Sequence, residues 1–194
     1  MSENIEDVVE EPERSAFDSV LGQALFQERV AVDALIQMSV AAGSSSSVQA
    51  RLGMLLKEGR RLFHAEHAVL VAGDLRVEEP QGDALSSTSP VRELAAQVLA
   101  AFPDLQPIHV DDLQLEPLLH ARLAALLGER EVHSVLAAPL VGATGQGDGC
   151  ICFLHAESDC FGPRARVLVE AVASLAALAL EAAVARGELS ASRR

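Results

Sequence analysis

Apolar residues recur every three to four positions over residues 16–42, at Phe17, Leu21, Ala24, Ala31, Leu35, Met38 and Ala42. That is the period of one helix face. Val20, Leu25, Val32 and Ile36 widen the stripe, so the spacing predicts a helix that packs against more than one neighbour. Gly43 and serines 44–47 end it. Ser47 suits the N-cap of a second helix, whose apolar face (Val48, Leu52, Leu55, Leu56, Leu62, Phe63) runs to His64. The pattern then changes. Residues 67–72 form a short apolar run that reads as a buried strand, and Asp74 turns the chain into a poorer strand, Leu75–Glu79, stopped by Pro80. Residues 81–90 are polar and turn-rich. Pro90, after Ser89, opens a helix to Phe102. Ile108–Val110 reads as a short strand followed by Asp111 and Asp112. Leu115, Leu118, Leu119, Leu123 and Leu126 predict a helix ended by Gly128. Val132–Val141 and Cys150–His155 read as paired strands around a loop with four glycines, 142–149. A last helix over 164–187 is apolar all round in its middle.

This order predicts an α+β fold with a largely antiparallel sheet and no internal repeat. A length of 194 residues favours one domain, and an apolar share of 49% excludes a wholly disordered chain. Charge changes the picture at one end. The net charge is −13, and residues 1–18 hold seven acids against the single base Arg14. The remainder carries 21 acids against 14 bases. Residues 1–15 therefore read as an acidic disordered tail, a solubilising segment or a docking arm for a basic partner. The other expected divisions are a signalling and dimerisation helix at 16–43, the domain proper at 44–187 and a short disordered tail at 188–194.

The acidic balance argues against nucleic acid and anionic membrane surfaces as partners. An aromatic share of 3%, with no Trp or Tyr, leaves no platforms for base stacking. The longest apolar run, 171–185, is mostly Ala and contains Glu181, so membrane insertion is not expected. No secretory signal is visible, and a cytoplasmic location is expected.

The stretch His133-Ser134-Val135-Leu136-Ala137-Ala138-Pro139-Leu140 resembles the penultimate strand of the GAF domain, a sensory fold close to PAS. Gly149-Cys150-Ile151-Cys152-Phe153-Leu154 is similar to its last strand, and Leu168, Leu175, Ala176 and Leu180 match its closing helix. Phe161 stands where the family often has a Phe, here followed by Gly162-Pro163. The resemblance covers residues 44–185. It implies a five- or six-stranded antiparallel sheet with the terminal helices packed on one face. The 80–130 region then roofs the other face, where family members bind ligands. It also implies dimerisation through the first and last helices. The residue pattern supports that point separately, because the faces of 17–42 and 167–185 are wider than one sheet needs. Leu21, Leu25, Val32, Leu35, Leu168, Leu175 and Leu178 are the dimer-helix candidates.

Cys150-x-Cys152-x2-His155-x4-Cys160 has the residue types of a metal site. On a strand, however, Cys150 and Cys152 share a face and His155 takes the other, so no metal is expected there. An odd cysteine count argues against a disulfide framework. Members of the family that reduce free methionine sulfoxide, or attach bilins, use cysteines of the roof region, and 76–133 contains none. The cyclic-nucleotide motif of the family needs a lysine where this chain has only Lys57, in the second helix. His109, Asp111 and Asp112, at a strand end facing the expected roof, are the polar candidates for the pocket lip, with His133, Val135 and Ala137 beside them. No catalytic residue and no cofactor are expected. The reading is a non-enzymatic regulatory homodimer that binds a small ligand or a partner protein and signals in trans through its terminal helices. The alternatives are a scaffold or adaptor whose pocket its own side chains fill, and a thiol-based redox protein.

Overall fold

The computed structural model describes residues 32–40, 47–80, 91–127, 130–143 and 145–188. The expected tail at 1–15, the helix at 16–31 and residues 189–194 lie outside them. The chain divides after Asp33. On the N-terminal side of that division, only the exposed helical residues Val32 and Asp33 are described.

The remainder is built on five antiparallel strands. These are β1 (His67–Ala72), β2 (Leu75–Glu79), β3 (Ile108–Val110), β4 (Ser134–Val141) and β5 (Gly147–His155). Their spatial order is β2-β1-β5-β4-β3. The pairing of β1 with β5 brings the two ends of the domain together at the centre of the sheet. The helices are α1 (described over 32–40), α2 (Val48–Leu62), α3 (Val91–Leu99), α4 (Pro117–Leu127) and α5 (Ala165–Ala185).

Strand alternation sorts side chains into two layers. Leu70, Val77, Leu136, Ala138, Ile151 and Phe153 face α2 and α5, together with Met38 of α1. Val69, Val71, Val135, Ala137, Cys150, Cys152 and Leu154 face α3 and α4. The terminal helices thus lie on one face and the roof on the other. α2 starts as its sequence predicts: the Ser47 hydroxyl accepts a hydrogen bond from Ala50 N at 3.3 Å. Gly59 lets it approach the sheet, because a Cβ there would sit 2.6 Å from the buried Phe153 ring. By length and apolarity alone α5 could span a membrane. Here Val169, Val172, Ala173 and Ala176 bury it against the sheet as a core helix. Of its two acids, Glu181 accepts a hydrogen bond from Ala143 N and so holds the β4–β5 turn.

Several boundaries differ from the sequence expectation. α4 starts at Pro117, a residue whose missing N–H suits a first helical position, after a short 3-10 turn at Leu113–Leu115. That turn rotates the leucine stripe. Leu115 and Leu118 are exposed, while Leu113, Leu123, Leu126 and Leu127 are buried. Glu188, the first residue of the expected C-terminal tail, makes specific contacts. The carboxylate of Glu188 accepts from Val48 N at 3.0 Å and pairs with the buried Arg51 at 2.8 Å. It therefore ties the end of α5 to the start of α2.

Candidate functional site

The floor of the roof-side layer is made by alternate residues of β1, β4 and β5. Val71, Val135, Ala137, Cys150, Cys152 and Leu154 are all 0% exposed. A side chain with no accessible surface touches no water-sized void, so this floor is in contact with packed atoms throughout. The roof supplies them: Ala95, Val98, Phe102, Leu113, Leu123, Leu126 and Leu127 belong to the same buried cluster.

Cys150 and Cys152 share this floor, with sulfurs 3.9 Å apart. The hydrogen-bonded Cys152 neighbour, and then burial, push the Cys150 thiol well above its ordinary value. Both groups argue for inert core thiols.

Polar groups line two rims of the layer. Arg76 and Glu78 project on the roof side of β2, opposite Val71 and Val69, and form an ion pair. Arg130, from the α4–β4 connection, reaches the other Glu78 oxygen at 3.4 Å. Arg76 Nη2 is buried without a hydrogen-bond partner. At the start of β4, His133 lies 3.7 Å from Asp112 and 3.3 Å from the Gln114 amide. Asp112 itself caps the 3-10 turn by accepting from Gln114 N at 3.0 Å.

The sequence-chosen residues thus fall in three places. Val135 and Ala137 are in the floor, and His133 and Asp112 sit at its rim. His109 is a correction. It pairs with Leu136, a residue of the terminal-helix layer, while Ile108 and Val110 take the roof side. The period of two along β3 therefore turns His109 away from the roof, with its ring 6.2 Å from that of Phe161. Its Nε2 lies 3.1 Å from the exposed carboxylate of Asp111, outside hydrogen-bond geometry. Asp111 goes with it, so this pair does not line the roof. Among the dimer-helix candidates, Leu35, Leu168 and Leu175 are half-buried against the terminal-helix core. Val32 and Leu178 are 52% and 60% exposed. Leu21 and Leu25 lie outside the described residues.

Sequence reasoning named His155 and Cys160 within a metal-type motif and set it aside; the structure brings these two together, with Glu157, in a second cluster at the end of β5. Cys160 Sγ lies 3.2 Å from His155 Nδ1, and the Glu157 carboxylate is close to both. Asp159, at φ 56°, turns the chain back so that Cys160 meets His155. The buried Ser134 hydroxyl fixes this turn, donating to Glu157 O and accepting from Cys160 N at 3.4 Å. Partial burial, then the carboxylates of Glu157, Glu66 and Asp159, raise the Cys160 thiol above its ordinary value, against a lowering hydrogen bond with Ser134. The signal in the sequence was the Cys/His/Cys spacing itself. Strand alternation splits it, sending Cys150 and Cys152 to the roof side and His155 to the opposite face.

Comparisons with known proteins agree with this architecture. The GAF domain of a phosphoenolpyruvate-protein phosphotransferase from Acinetobacter superposes with a TM-score of 0.59 at 13% identity, covering 79% of this chain and 94% of that one. Its counterpart from Coxiella burnetii gives 0.60 at 17%, covering 83% and 98%. Free methionine-R-sulfoxide reductase from Neisseria meningitidis, in complex with its substrate, gives 0.60 at 17%, covering 80% and 91%. Comparison of the sequence with curated proteins finds no significant match. GAF domains are generally regulatory, ligand-binding modules. The family model for that domain matches residues 47–180, and this chain belongs to the GAF domain family.

Proposed function

We propose that this chain is a non-enzymatic regulatory module that acts through protein contacts of its terminal helices, as a homodimer signalling in trans. The observation that carries this reading is the packed floor. With Val135, Ala137, Cys150 and Cys152 at 0% exposure, these floor side chains are covered and present no surface to a ligand. A regulatory output then has to pass through a surface. α5 offers one, since Val167 and Leu178 are 71% and 60% exposed on a helix whose other face is core. Two such helices, packed with their symmetry mates, would bury this surplus.

Sedimentation at micromolar concentration tests the reading. The full chain is expected to sediment as a dimer, and Leu178→Glu as a folded monomer. An unchanged mass for the variant, or a monomeric parent, overturns it.

A second reading retains a small ligand, at the rim rather than the floor. The buried, unpartnered Nη2 of Arg76 favours an anionic one. Native mass spectrometry of protein purified from its own host decides between the two. A co-purifying anion lost in Arg76→Gln supports the second reading, and a bare homodimer supports the first.

A further inference from the structure

We propose that His155, Glu157 and Cys160 bind a divalent transition-metal ion of the zinc class. This goes beyond the regulatory reading and does not depend on it. The three ligand atoms lie within 4.8 Å of one another. A tetrahedral ion with ordinary zinc–sulfur and zinc–nitrogen bonds holds those two atoms about 3.6 Å apart. The observed separation of Cys160 Sγ and His155 Nδ1 is 3.2 Å. The exposed Glu157 side chain is free to rotate inward as the third ligand, leaving a fourth position for water.

Three features prepare the cluster. First, Glu157 N donates to His155 Nδ1 at 2.9 Å, which selects the tautomer whose lone pair is on Nδ1. The metal takes the place of that N–H. Second, Glu66 Oε1 lies 4.0 Å from His155 Nε2, the nitrogen that carries the proton in this tautomer. Glu66 is itself held by Ala156 N at 3.3 Å. A carboxylate behind a ligating imidazole fixes its ring and raises its basicity. Third, the charges acting on Cys160 are those of Glu157, Glu66 and Asp159, all negative, and a cation relieves them. On binding, the Cys160 S–H bond breaks, a sulfur–metal bond forms, and the proton passes to water. The ion would clamp the end of β5 to the turn that leads through Phe161 into α5.

Cobalt(II) titration of the full chain tests this, since a thiolate–cobalt charge-transfer band reports the sulfur directly. The band is expected to saturate at one equivalent, to be displaced by zinc and to release one proton per ion. Cys160→Ser and His155→Asn, checked for unchanged circular dichroism, are expected to abolish it. Glu66→Gln is expected to weaken affinity by about 10- to 100-fold. Absence of the band in the parent overturns the proposal. So does a band that persists in Cys160→Ser, which would assign the sulfur to Cys150 and Cys152. Should either variant misfold, the band of Cys150→Ala/Cys152→Ala decides, because the proposal requires it to survive.

Discussion

Gly149 shows what a single residue carries in this fold. A Cβ there would sit 1.9 Å from the Val71 carbonyl oxygen, a backbone atom in the central strand pair. Gly149→Ala therefore forces β1 and β5 apart, and denaturant unfolding is expected to show a loss of about 3 kcal/mol. The sequence marked this glycine as the end of a loop and the start of a strand, but not its close approach to Val71, because that requirement comes from a strand far away along the chain. Cysteine chemistry is also decided residue by residue. Cys150 and Cys152 are fully buried and so shielded from reagents, and the Cys150 thiol is also pushed up. Native alkylation followed by peptide mapping is expected to leave these two unmodified and to label Cys160 slowly. Ready labelling of either buried thiol would revive a redox role.

At the scale of elements, the strands with apolar runs were the most legible. β1, β4 and β5 are buried on both faces, and their sequences say so without alternation. Amphipathic α2 and its Ser47 cap were equally plain. The stretch 113–127 was not, because a 3-10 turn shifts the phase of its leucines and Pro117 resets the start. His109 was placed on the wrong face for a related reason: a strand of three residues carries too little pattern to fix its own parity. The Glu188 clasp could not be read at all, since it joins α5 to the start of α2 through space. Hydrogen bonds from Arg186 and then Arg51 hold the Glu188 carboxyl below its ordinary value of 4.5. A depressed carboxylate contributes stability above its unfolded value and loses it as pH falls through the folded one. Glu188→Gln is thus expected to lower Tm at neutral pH. The Tm difference from the parent should close as pH drops below 4.5, in melts followed by circular dichroism.

For the whole molecule, the question is how two faces of one sheet communicate. β5 alternates between them, with Cys150, Cys152 and Leu154 under the roof, and Ile151 and Phe153 under the terminal helices. Ala137→Leu tests whether the roof side has room. A packed floor predicts destabilisation of about 1–3 kcal/mol by overpacking, whereas a ligand-sized void would make the larger side chain neutral or stabilising. The strand order has a separate consequence for how the chain is made. Val71 of β1 pairs with Cys150 of β5, so the sheet's central seam waits for the last of the five strands. During synthesis the β1–β2 hairpin emerges early, with one edge unpartnered and its apolar sides uncovered. Closure over so long a separation is slow. A nascent chain stalled before residue 147 holds two strand pairs, β1–β2 and β3–β4, with no strand to join them, exposed to chaperones and proteases until β5 is made.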